Sequence, residues 1–243
     1  PDIFFSQFTG AELVADKWNL SREDLDQFAL ESHQKAAHAT ESQYFDREIL
    51  PVEGKNAEGI NDLVMADEGI RFDASLDKLA GLNPVTEGGK ITAGNASQIT
   101  DGAAAVLICN DAGLKKIKSN PRAEIVSISV VGDDPVFMLT GPIPASHKAL
   151  DIAKLSIEDM DIYEVNEAFA PVPLAWAEEL KADRSKLNVN GGAMALGHPL
   201  GATGAKLMTT MLHELERREG NYALQAICEG GGTANATIIK RIT

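Results

Sequence analysis

The chain predicts an α/β fold, in which a mixed sheet of order βαβαβαββ is covered by helices and preceded by a loop-rich subdomain. Three observations carry this expectation. From Asp101 onward, short apolar runs of strand length alternate with segments of helical period. Three of the expected strands end in a polar or glycine-rich segment. The first hundred residues, by contrast, are polar and punctuated by turn residues, with no strand alternation.

Thr9-x-x-Glu12 and Ser21-x-x-Asp24 both have capping-box form, and the second opens a long helix with Leu25, Phe28, Ala29, Ala36 and Ala39 on one face. Residues 56–69 and 81–94 are turn-rich, with Asn83-Pro84 and Gly88-Gly89 as breakers. Residues 1–99 therefore read as an inserted, lid-like subdomain. Residues 103–109 form a continuous apolar run, suited to a strand buried on both faces, and a helix follows near 111–118. Beyond Pro121 come a strand near 124–131, a helix near 144–154 and a strand near 161–165. A helix near 168–181, a strand near 187–189 and a helix near 201–217 follow, and strands near 223–228 and 234–241 close the series. The 103–109 strand has no βα partner upstream, yet an apolar strand needs neighbours on its edges and cover on its faces. Residues 100–120 are thus expected to be the last strand and helix of a further half of the fold, and 121–243 a C-terminal domain. The chain opens at Pro1-Asp2 without methionine, which suggests processing, truncation or missing residues.

Length and composition suit a globular protein: 243 residues, 44% hydrophobic and 24% charged. The formal net charge of -14 opposes nucleic acid or an anionic membrane surface as a partner. Cys109 and Cys228 make no disulfide framework, so a reducing, cytoplasmic setting is expected. No apolar run has the length of a membrane span, no signal-peptide pattern opens these residues, and Arg241-Ile242-Thr243 is not a peroxisomal address.

Three segments carry candidate chemistry, each at the carboxyl end of an expected strand, where open α/β sheets bind ligands. They are Asn166-Glu167-Ala168-Phe169, the run from Gly191 to Gly204 with His198-Pro199 inside it, and Cys228-Glu229-Gly230-Gly231-Gly232. Each residue has a plainer reading. Asn166 suits a helix N-cap, His198 a turn histidine satisfied by backbone, and Cys228 a small buried hydrophobe. The five glycines around His198 favour a rigid acid or base. The three glycines after Cys228 leave backbone N–H groups free to face a ligand. Cys109 reads as core. Neither G-x-G-x-x-G spacing nor a P-loop is present, and no Cys/His cluster suggests a metal.

In order and spacing these three segments resemble the C-terminal signatures of the thiolase family. The stretches Thr92–Ser97 and Asp101–Ala105, and Gly141-Pro142-x-Pro144-Ala145, are similar to that family too, so the resemblance spans essentially the whole chain. Ala234 stands where many members have a further glycine, and Glu229 replaces a commoner apolar residue. The form Cys-Glu-Gly-Gly-Gly resembles degradative thiolases, including those acting on bulky acyl or steroid side chains.

The resemblance implies two βαβαβ-type halves with a loop domain, the N-terminal half and its nucleophilic cysteine lying outside this chain. It implies that His198 activates that cysteine for attack on the keto carbon of a 3-ketoacyl-CoA. Cys228 would protonate the departing acetyl-CoA carbanion and then deprotonate incoming CoA. Asn166 would hold a water that stabilises the thioester oxyanion together with His198, and the Gly230 N–H would belong to a second oxyanion hole. Arg71 and Ser97 match positions that contact coenzyme A, and Ala168 and Phe169 would line its thiol end. No tightly bound cofactor or metal is implied. The implied partners are acyl-CoA and CoA as substrates, the N-terminal half, and further copies in a homodimer or homotetramer. A rival reading is a catalytically incomplete CoA-binding or assembly fragment. A ketosynthase fits less well, since those enzymes usually pair two histidines, or a histidine and an asparagine.

Overall fold

The computed structural model describes residues 6–55 and 59–242. Helix α1 (Gln7–Lys17) begins after Ser6, so Thr9 lies inside it rather than capping it. The Glu12 carboxylate is used elsewhere: it accepts from the Lys90 and Ile91 N–H groups, both at 2.9 Å, and ties down the turn-rich stretch after Gly81. Helix α2 (Arg22–Glu41) does open on the expected capping box. Ser21 Oγ accepts from Asp24 N at 3.1 Å, and Ser21 N donates to the Asp24 carboxylate at 2.8 Å. Replacing Ser21 by alanine is expected to cost about 1 kcal/mol in denaturant unfolding, with an unchanged m-value.

An antiparallel hairpin, β1 (Val52–Lys55) and β2 (Asn61–Val64), occupies a stretch whose turn residues concealed it. A short α3 (Leu76–Ala80) follows. Residues 6–99 pack directly against the rest of the described chain. Helix α1 packs on α6 (Pro171–Leu180), and α2 packs on α3 and α7 (Ala193–Leu196). Val14, Leu25 and Phe28 share one apolar core with Phe169 and Trp176.

Residues 103–109 are not a strand here: they pair with nothing and are exposed, Leu107 at 77% and Ile108 at 68%. A strand exists only where a neighbour takes its N–H and C=O groups, and none of the described strands lies beside this one. Helix α4 (Asp111–Ile117) forms as expected, capped by the Asn110 side chain on Gly113 N at 2.9 Å.

The sheet has the order β3 (Ala123–Gly132), β6 (Thr233–Arg241), β5 (Tyr222–Cys228), β4 (Ile162–Val165). β3/β6 and β6/β5 are antiparallel, whereas β5/β4 is parallel. Helices α5 (Pro142–Ala153) and α6 cover one face, and α8 (Thr203–Arg217) covers the other. β4 is buried on both sides. Its Tyr163 packs on Trp176 of α6 with ring centroids 5.3 Å apart, while Ile162 meets Met211 and Leu215 of α8. The strand expected at 187–189 shrinks to isolated bridges, Leu187 to Tyr163 and Val189 to Gly191. The cause is Asn188, whose side-chain amide takes both the N–H and the C=O of Val165, each at 2.9 Å, in place of a backbone ladder.

Because β4 and β5 run parallel, the residues after Val165 and those at Cys228 emerge at the same end of the sheet. Among the described residues no helix is long and apolar enough to cross a membrane.

Candidate active site

The loop bearing His198 is anchored from below by Glu167. Its buried carboxylate accepts from Ser32 Oγ at 2.7 Å, Asn188 Nδ2 at 2.9 Å and Met194 N at 3.1 Å. A Cβ at Gly192 would collide with that carboxylate, so only glycine lets the backbone pass. Burial is the largest influence on the Glu167 carboxyl and pushes it up, against these hydrogen bonds. At Gly197 the chain turns with φ +81°, and a side chain there would strike Thr100. Gln98 closes the loop from the other side. Its carbonyl accepts from His198 N at 3.2 Å, and its Nε2 donates to Met194 O at 2.7 Å and Gly69 O at 2.8 Å.

The His198 ring is held by side chains, not by backbone as the turn reading required. Nδ1 lies 2.6 Å from Thr203 Oγ1, and Thr203 Oγ1 donates its one proton to Pro199 O at 3.0 Å. The hydroxyl must therefore accept from His198, which places the ring proton on Nδ1 and the lone pair on Nε2. That lone pair faces Asn166 Nδ2 at 3.4 Å. Burial lowers the His198 pKa, so the neutral ring, the form of a base, persists below the usual imidazole range.

Asn166 is not a helix N-cap, because α6 begins only at Pro171. It sits at the end of β4, 1% exposed, and its Oδ1 has no hydrogen-bond partner. Such an orphaned acceptor beside an imidazole suits a water or a ligand hydroxyl.

Cys228 ends β5 and is buried, as the plain reading held, but it also borders a cavity of about 350 Å³ that His198 lines. Burial, and secondarily the Glu229 charge, push its thiol up to about 12. It is therefore a thiol throughout the neutral range, a proton donor rather than a standing nucleophile. The Gly230 N–H borders the same cavity, and no hydrogen bond to it is formed among the described residues. Met138 and Leu139, from the connection between β3 and α5, add apolar wall.

The other expected residues divide. Ala168 lines the cavity, and its carbonyl accepts from Ser97 N at 2.9 Å, which places Ser97 directly behind the site. Phe169 is core, 3% exposed and edge-on to Phe8 at 5.4 Å, so it does not line the cavity. Arg71 is exposed and lies outside the cavity wall, its N–H donating to His33 Nδ1 at 3.1 Å. Sequence reasoning missed Thr203, Gln98 and Met138. Thr203 left a signal, a hydroxyl residue one turn past His198 at a helix start. Gln98 left none, because its role exists only once distant loops meet. Among the described residues no group of three or more His, Cys, Asp or Glu is placed to hold a metal ion.

Known proteins resemble this chain in sequence and in fold. The sequence model described as "Thiolase, C-terminal domain" matches residues 119–241, and "Thiolase, N-terminal domain" matches 3–112. The loop-rich region thus falls within the N-terminal domain model. The chain is 56% identical to the steroid 3-ketoacyl-CoA thiolase FadA6 of Mycobacterium tuberculosis, over 99% of this chain and 58% of that protein. It is 46% identical to the mitochondrial 3-ketoacyl-CoA thiolase of Rattus norvegicus, over 95% of this chain and 58% of that one. The crystal structure of human mitochondrial 3-ketoacyl-CoA thiolase superposes with a TM-score of 0.93 at 45% identity, covering 97% of this chain and 59% of that one. The chain therefore spans about three-fifths of the length of the relatives it matches. His198, Asn166 and Cys228 gather at one sheet end, and the match of two consecutive domain models over almost the whole chain, with relatives about half identical, establishes that the chain belongs to the thiolase family.

Proposed function

We propose that this chain supplies the acid–base side of a thiolase active site, in a protein that cleaves 3-ketoacyl-CoA with CoA or runs the reverse condensation. One observation carries the reading: His198, with its lone pair on Nε2, and Cys228, with its proton retained, border the same cavity. The nucleophile is a cysteine other than Cys109 or Cys228. His198 Nε2 takes that thiol's proton, and the thiolate adds to the keto carbon. The bond between the keto carbon and the α-carbon then breaks, leaving an acyl thioester and the acetyl-CoA carbanion, which takes the Cys228 proton. The Cys228 thiolate next removes the proton of incoming CoA. CoA thiolate attacks the thioester, and the expelled cysteine thiolate recovers its proton from His198.

Asn166, through a water, and the Gly230 N–H are assigned to the developing oxyanions, where one well-placed donor contributes about 3–4 kcal/mol. Arg71 and Ser97 are assigned to coenzyme A, and Ala168 and Phe169 to its thiol end, Phe169 acting from behind the wall. Residues 1–99 serve as the loop subdomain, 100–120 as the last strand and helix of the N-terminal half, and 121–243 as the C-terminal domain. The Cys-Glu-Gly-Gly-Gly form and the steroid thiolase relative support a bulky or steroid-type acyl chain. Cytoplasmic location and a homodimer or homotetramer complete the proposal.

Thr203→Val keeps the shape but removes the acceptor for His198 Nδ1–H. It is expected to lower kcat about 10- to 100-fold with KM little changed, as read by steady-state thiolysis. The second reading, a CoA-binding fragment without turnover, is favoured by one fact: neither cysteine present is suited to be the nucleophile. Assaying the complete protein for CoA-dependent formation of acetyl-CoA from straight-chain and steroid-type 3-ketoacyl-CoA decides between them. Calorimetric CoA binding with no turnover on either substrate would overturn the enzyme reading.

A further inference from the structure

Glu164 sits in the middle of β4, 1% exposed, and neither of its carboxyl oxygens has a hydrogen-bond partner. The parallel pairing of β4 and β5 puts Gln225 opposite it in register. Gln225 is 3% exposed; its Nε2 donates to Gly204 O at 3.0 Å, while its Oε1 also has no partner. Two buried residues paired in register on adjacent strands, whose backbones lie about 4.8 Å apart, thus carry three oxygens without a partner. A carboxylate cannot relieve this, because every atom involved would be an acceptor. A neutral carboxylic acid does, since its O–H is the missing donor.

We propose that Glu164 is held as a neutral acid donating to Gln225 Oε1, and that this bond positions His198 through the first turn of α8. The link is short. With Oε1 occupied, the Gln225 amide is locked with Nε2 on the Gly204 carbonyl. Gly204 follows Thr203, whose hydroxyl fixes the His198 ring at 2.6 Å. Gly204 also lies beside β5, where an added Cβ would come within contact distance of the Ile227 and Gln225 side chains. Burial drives the Glu164 carboxyl well above the usual carboxylate range, reinforced by the charges of Glu167, Glu48 and Glu214 and opposed only by Lys206. Glu164 is a positioning residue: it touches no reacting atom, and its importance for turnover rests on the acid–base role proposed above for His198.

The test uses the complete protein and the variants Glu164→Gln, Glu164→Leu and Gln225→Leu. Glu164→Gln, whose amide N–H also donates, is expected to retain at least about a third of wild-type kcat. Glu164→Leu and Gln225→Leu should lose about tenfold or more with KM within about twofold, all measured below each variant's melting temperature. The infrared spectrum at neutral pH should show a protonated carboxylic C=O band that Glu164→Gln removes. Ring ¹⁵N shifts should show His198 losing its single Nδ1–H tautomer in Gln225→Leu. An ionised Glu164 overturns the proposal, as does unchanged kcat with only a lowered melting temperature in both leucine variants. A Glu164→Gln variant as impaired as Glu164→Leu also overturns it, pointing instead to a buried ion at that carboxylate. Should the wild type show no thiolysis, the functional reading fails separately, and the infrared band and ring tautomer still decide this inference.

Discussion

His198→Ala in the complete protein is expected to lower kcat for thiolysis about 10³-fold, within the range for loss of a positioned general base. Burial favours the neutral ring, Nδ1 lies against the Thr203 hydroxyl, and Nε2 faces Asn166 in the wall of the cavity. The same geometry sets the pH dependence. Activity needs unprotonated Nε2, so kcat/KM falls as pH drops through the His198 pKa. Burial lowers that pKa, so the acid limb of the wild-type profile should lie below the 6.5 of free imidazole. In His198→Ala this limb should vanish from whatever activity remains. A near-normal kcat, or an acid limb that survives the substitution, would remove His198 from the mechanism.

His198 stood out in the sequence because five glycines around one histidine have few structural uses. What suits it to the proposed role of base was not legible. The tautomer depends on Thr203 having spent its proton on Pro199 O, and the ring's placement depends on Gln98, a hundred residues away. Periodicity found β3, β5 and β6, which have neighbours along their length. It failed where a side chain or the absence of a neighbour decides the outcome: Asn188 replaces the ladder at 187–189, and the apolar 103–109 run has no edge to join. Turn density in the first hundred residues also conceals that Leu25 and Phe28 share the core of the sheet domain. The motif residues Asn166, His198 and Cys228 came together because strand ends are set by topology. Arg71 and Phe169 carried no such guarantee, and neither lines the cavity.

Cys228→Ala is the second large effect, and it separates the two halves of the chemistry. The substitution should lower kcat by about 10³-fold, because the acetyl-CoA carbanion then has no positioned acid. Misfolding is not the expected cause: exchanging a small buried thiol for a methyl costs about 1 kcal/mol, a shift that thermal unfolding would reveal. The thiol is suited to donation because burial pushes it up to about 12, so it keeps its proton at pH 7. Iodoacetamide should accordingly leave Cys228 unmodified at neutral pH under conditions that label an ordinary exposed thiol. Activating the nucleophile is assigned to His198, and a departing CoA thiolate, unlike the carbanion, can leave without the Cys228 proton, so Cys228→Ala should still form the covalent acyl thioester from an acyl-CoA, more slowly, whereas His198→Ala should not. Intact-mass measurement after exposure to substrate reads this directly. If Cys228→Ala fails to acylate as completely as His198→Ala, Cys228 is needed to activate the nucleophile, and the division between base and acid assigned to His198 and Cys228 is wrong.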